Sequence, residues 1–141
     1  MKKILFLVLT LALAVGSYVG LATSAVPMKV VYHVSEADKV PFVLRNIKNH
    51  IKGVGGPENV EIILVAHGPG LKPFHSSADE GISSLVGELQ LEGVEFDACG
   101  NTMNALSFEL SDLLPDFVRR DEGGVVRLAE LQSQGYMYLR P

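Results

Sequence analysis

The chain has 141 residues, 12 of them Lys or Arg against 16 Asp or Glu, for a net charge of −4 with neutral histidines. No cluster of positive charge offers a footprint for nucleic acid, and no basic amphipathic stretch suits a membrane surface. The single cysteine excludes an intrachain disulfide, so stability must come from core packing and subunit contacts.

The N-terminal run MKKILFLVLTLALAVGSYVGLATSA sets two lysines before an apolar stretch from Ile4 to Val15 and ends in small residues, the order of a secretory signal peptide with cleavage after Ala25. An uncleaved anchor is the alternative, since Ile4 to Ala25 carries no charge and is about long enough to span a bilayer. Either way the folded part is expected outside the cytoplasm, in a periplasm or otherwise exported. Residues 26–141 then form a single α/β domain with one modest core.

Next comes MKVVYHV, a nearly continuous β-branched run that suits a parallel strand covered on both faces. In SEADKVPFVLRNIKNHIKGVGG, Val40, Val43, Leu44, Ile47 and Ile51 recur at helical spacing. Ser35 and Asp38 are its candidate caps, Pro41 fits its first turn, and Gly53, Gly55 and Gly56 end it. VEIILVAHG, Val60 to Gly68, is the strongest strand signal. GPGLKPFHSS reads as a loop and ADEGISSLVGELQLEG as a second helix. VEFDA, Val94 to Ala98, is a third strand running directly into Cys99. The segment NTMNALSFELSDLLPDFV predicts a cap at Asn101 or Thr102, a short helix, a break at Pro115, and a brief fourth strand from Phe117 and Val118. In GGVVRLAELQSQG, Val125, Leu128, Ala129 and Leu131 are placed to face the core, and YMYL reads as the final strand. Such alternation of strand and helix predicts an open, mostly parallel sheet with helices on both faces.

In such a sheet ligands bind beyond the carboxyl ends of the strands, which is where His33, His67 and Cys99 fall. Cys99 stands where a strand turns into a helix, with Gly100 giving room for close approach. The free N–H groups of a helix start stabilise a thiolate and make it a better nucleophile near neutral pH. The ordinary alternatives are a packed, inert thiol and a turn histidine at 67 within AHGPG. His75 reads as a solvated loop residue and His50 as a helix-surface one. With no carboxylate pair, Ser/His/Asp grouping or CxxC repeat, hydrolase and structural-zinc chemistry lack support. Cys99, His33 and His67 do form a mixed thiolate and imidazole set suited to copper or zinc, which stands as an alternative reading. A third is a non-catalytic oligomeric module with Cys99 merely packed.

Taken together, VVYHV, KVPFVLRNIKNHI, LVAHGPGL, VEFDACGNTM and GGVVRLAELQSQGYMYLRP resemble the DsrE/DsrF-like family of sulfur-relay proteins, which includes the TusD-type subunits. ACGNTM is the most specific part of the likeness. The resemblance implies a flavodoxin-like, three-layer α/β/α fold around a mainly parallel five-stranded sheet, and a homotrimer or homohexamer. In relatives a cysteine after the third strand carries sulfur as a persulfide and hands it on, and Cys99 matches that position. His67 and His33 match the strand ends of an exported branch and are expected to tune charge, while Asn101 and Thr102 orient the loop. The relatives act in the cytoplasm on tRNA thiolation or sulfur oxidation. An exported chain is instead expected to exchange sulfur with other proteins or small sulfane-sulfur compounds. It would be a transferase-like carrier without a cofactor rather than a turnover enzyme.

Overall fold

The computed structural model describes residues 26–141; the leader reading of residues 1–25 lies outside the described part. The strands are β1 (Met28–Val34), β2 (Val60–Ala66), β3 (Glu95–Cys99), β4 (Phe117–Arg120) and β5 (Met137–Leu139). The helices are α1 (Val40–Gly53), α2 (Glu80–Leu91), α3 (Gly100–Leu106) and α4 (Gly124–Ser133). All strand pairs are parallel, in the order β4-β3-β2-β1-β5.

That order fixes the layers. The first three crossovers step the same way across the sheet, and because such connections are right-handed they place α1, α2 and α3 on one face. The crossover from β4 to β5 returns past three strands, which carries α4 to the opposite face. Successive strand residues point to opposite faces, so one set (Val30, Tyr32, Ile62, Leu64, Phe96) packs against α1, α2 and α3 in the larger core. The other set (Val31, Ile63, Val65) meets Leu128, Leu131 and Tyr136 in a small core. The result is the three-layer, flavodoxin-like arrangement expected from the sequence, with a wholly parallel five-stranded sheet. Among the described residues no helix is long and apolar enough to cross a membrane.

Several local expectations are corrected. Ser35 and Asp38 do not cap α1: a 3-10 turn over Ala37–Lys39 leads into it, Lys39 occupies the N-cap, and the Ser35 hydroxyl bonds Glu36 instead. The segment read as a loop after His67 is a 3-10 helix, Gly68–Phe74, that buries Leu71 and Phe74. Phe74 meets Phe96 edge-on and Phe117 at a tilt in a three-ring cluster, and burial of that aromatic area holds the segment down. Leu128 and Leu131 of α4 are buried as expected, but Val125 is 71% exposed and Ala129 is exposed, because a lone helix on a narrow face needs only one stripe. His50 is half-buried rather than on the surface, its Nδ1 3.0 Å from the Tyr32 hydroxyl. His75 is half-buried too, paired with Ser77 and tilted against Phe108.

Candidate functional site

The chain leaves β3 toward one face and β4 toward the other, so a crevice opens between the carboxyl ends of these two strands. Ligand sites of open parallel sheets form at such a switch point. Cys99 is the last residue of β3 and pairs in register with Arg120, the last of β4. Beside it lies a cleft of about 270 Å³ lined by His67, Cys99, Asn101, Thr102 and the residues Glu122 to Val126.

The turn between β3 and α3 aims its donors at the sulfur. Cys99 is itself the N-cap of α3, so Asn101 and Thr102, expected as caps, fall in the first helical turn. Their backbone N–H groups, the N–H of Gly124 and the Thr102 hydroxyl surround Sγ and favour its negative form. The Thr102 Oγ1 in turn accepts from the Gly68 N–H at 2.8 Å, which leaves the hydroxyl hydrogen free to point at sulfur. Burial, with Cys99 only 6% exposed, pushes the thiol up, but the hydroxyl and the three N–H groups outweigh it and hold the thiol below its ordinary value. Gly100 permits the turn, since a Cβ there would lie 2.8 Å from the Arg120 carbonyl oxygen. Thr102→Val keeps the shape and removes the hydroxyl donor. It is expected to slow alkylation of Cys99 at neutral pH about tenfold, the worth of one bond to a charged group, as read from iodoacetamide rates against pH.

Cys99 ends a row of four polar side chains that crosses the sheet on the α4 face. Tyr138 of β5 pairs with Val31, two residues before His33 on the same face of β1. Ala66 pairs with Ala98, so the following residues, His67 and Cys99, are neighbours on adjacent segments. The Tyr138 hydroxyl lies 2.6 Å from His33 Nδ1, and His33 Nε2 lies 2.6 Å from His67 Nε2, the two rings inclined by only 17°. A Cβ on Gly124 would sit 3.2 Å from the His67 Cβ and 3.3 Å from the Cys99 Cβ, so the start of α4 packs directly over both. The structure thus brings His33, His67 and Cys99 to one edge, with His33 inside β1 rather than after it and His67 directly after β2. The facing Nε2 atoms of the histidines bond each other. Among the described residues no group of three or more His, Cys, Asp and Glu is arranged to hold a metal.

Both imidazoles are kept neutral. Burial, the neighbouring His67 and the Arg140 guanidinium lower His33 to about 4, against a smaller opposing pull from Glu36. Burial and Arg140 likewise lower His67. The unfolded chain binds a proton near pH 6.5 that the folded chain refuses until about 4, so folding stability is full above this window and is lost as pH falls through it. Urea unfolding at neutral pH and near pH 4 is expected to show a loss that is smaller by roughly 3 kcal/mol in His33→Gln than in the native chain, the remainder including the share of His67.

Sequence reasoning missed a second group on this face. Asp97, 0% exposed, accepts from Arg120 Nε and Arg127 Nε at 2.7 Å each, and the same two guanidinium groups reach Glu95. Burial holds the Asp97 carboxyl above its ordinary value against the pull of the two guanidinium groups. The absence of a carboxylate pair expected from the sequence is corrected here: Glu95 and Asp97 stand two apart on a strand and share a face. That spacing is the signal by which the sequence could have shown it. The network ties β3, β4 and α4 together just below the thiol.

No family model matches the chain, nor does any curated protein. Among solved structures it is similar to the protein of unknown function MTH1491 from Methanobacterium thermoautotrophicum, with a TM-score of 0.73 and 29% identity over 81% of this chain and 99% of that one. It is also similar to the ychN protein from E. coli (TM-score 0.66, 15% identity, 81% and 99% covered). A third likeness is to the conserved protein of unknown function BT1422 from Bacteroides thetaiotaomicron (0.63, 16%, 80% and 94%). Those two likenesses are of fold alone. From strand order, layers and these neighbours, the chain has the DsrE/TusD-like fold.

Proposed function

We propose that the protein is an exported sulfur carrier in which Cys99 holds sulfane sulfur as a persulfide and passes it to a partner. One observation carries this reading: a lone thiol at the sheet's switch point, with four donors converging on its sulfur beside an open cleft. Those donors favour a negative sulfur, whether thiolate or persulfide anion. A thiolate attacks the sulfane sulfur of a polysulfide or thiosulfate, and a partner thiol later attacks the outer sulfur and removes it. The cleft is small enough to select compact donors or the tip of a partner chain. Export rests on the leader MKKILFLVLTLALAV, and assembly as a homotrimer or homohexamer on the family resemblance, with the exposed edge strand β5 offering an unpaired ladder.

Intact-protein mass spectrometry tests the carrier reading. After exposure to polysulfide the protein is expected to gain one or more sulfur atoms that a reductant removes. With one cysteine in the chain, the site of any such gain is unambiguous. An unchanged mass across polysulfide and thiosulfate would overturn the reading.

A further inference from the structure

The geometry points to a proton relay for Cys99, running through His67 and His33 to the Tyr138 hydroxyl at the sheet edge. This inference rests on the carrier reading for its chemistry and on the row of side chains for its path. The members stand in order across the sheet, at the end of β3, directly after β2, in β1 and in β5, on one face. Two of the three links are hydrogen bonds of 2.6 Å. The remaining one joins Cys99 at the end of β3 to His67 directly after β2, whose Cβ atoms lie 3.3 Å and 3.2 Å from one point above Gly124, on the wall of one cleft. Tyr138, 40% exposed, gives the far end access to water, whereas His33 is buried.

The arrangement suits transfer rather than storage of a proton. Two neutral imidazoles facing through Nε2 share one hydrogen, so one ring donates and the other accepts. A proton arriving from the thiol at His67 Nδ1 releases the Nε2 proton to His33. His33 in turn releases its Nδ1 proton toward the Tyr138 oxygen, which passes one to water. Each ring receives at one nitrogen and gives from the other, so no charge stays behind. Glu36 and Arg140 flank the rings with opposite charges, and α4 meets His67 through Gly124, which adds no titratable group.

In sulfur loading from an organic hydropersulfide, RS–SH, the Cys99 thiolate attacks the terminal sulfur. The Sγ–S bond forms, the RS–S bond breaks, and RS⁻ leaves with the electron pair. The thiol proton that entered the relay is balanced by the proton RS⁻ takes up from water. Overall Cys99–SH and RS–SH give Cys99–S–SH and RSH, with no external oxidant. His33 and Tyr138 act through His67 and are positioning residues.

The test follows loading from cysteine hydropersulfide in the native protein, Tyr138→Phe and His33→Gln across neutral and alkaline pH. Both variants are expected to load about tenfold more slowly at neutral pH and to match the native rate at alkaline pH, where hydroxide replaces the relay. Added imidazole is expected to rescue His33→Gln. Native rates at neutral pH in both variants would overturn the relay while leaving the carrier reading intact. A native protein that takes no sulfur would overturn the carrier reading instead, and the relay would then be judged on Cys99 alkylation by iodoacetamide against pH. A two-step profile in the native protein that becomes one step in both variants would support it, and three superimposed profiles would overturn it.

Discussion

A Cys99→Ser protein is expected to take up no sulfur from polysulfide while unfolding in urea within about 1 kcal/mol of the native chain. The loss is complete because a serine hydroxyl is not ionised near neutral pH and forms no persulfide. The fold survives because Cys99 belongs to neither apolar core, so the exchange hollows out neither. The hydroxyl also still accepts from the donors at Thr102, Asn101 and Gly124. Cys99→Ala sharpens the test. It removes the acceptor and leaves those donors facing a methyl group, so it is expected to be less stable than the serine variant by about 1–3 kcal/mol, the cost of an unsatisfied buried donor. Equal stability of the two variants would show that the donors are not aimed at the side chain. Sulfur uptake by the serine protein would rule out Cys99 as the carrier.

Asp97→Ala is expected to have the largest effect on stability, a loss of about 3–5 kcal/mol in urea unfolding. Asp97 is wholly buried and binds two guanidinium groups, which are themselves mostly covered. Removing it leaves both charges in a poorly solvated site, with the more exposed Glu95 as their remaining shared partner. Such a loss is a large part of the roughly 5–15 kcal/mol that holds a domain together. It is also expected to be local in character. Arg127 is the charged tether of α4, whose apolar contact with the sheet is limited to Leu128, Leu131 and nearby Tyr136. Hydrogen exchange in α4 is therefore expected to accelerate more than in α1. A loss under 1 kcal/mol would mean that Glu95 alone satisfies both arginines.

The strands and the layer order were legible because the runs at 28–34 and 60–66 are largely apolar on both faces, short and rich in β-branched residues, a pattern that suits a covered parallel strand. The last strand was legible as a short run but not as an exposed edge, since MYL carries no sign that both its faces lie open. Arg119 and Arg120 hid the length of β4: charged residues read as surface, yet both lie in the strand, and Arg120 is neutralised by carboxylates on the neighbouring strand. Cys99 and the histidines could be assigned to one edge from strand ends alone. Their order in a row could not, because it depends on β5 returning to pair with β1, a long-range event that no local pattern encodes. The part of α4 in the site escaped notice for a similar reason: Gly124 contributes an N–H and an absence of bulk.

The donors around the sulfur come from two places far apart in the chain, the turn after β3 and the start of α4, and they meet only when β4 has docked beside β3. An unfolded or newly made chain therefore carries an ordinary thiol, mostly protonated near neutral pH and slow to react. The folded chain's lowered thiol pKa depends on both segments being in place, so thiolate content distinguishes the folded chain from the unfolded one. The pH dependence of Cys99 modification can accordingly report whether these two segments have met.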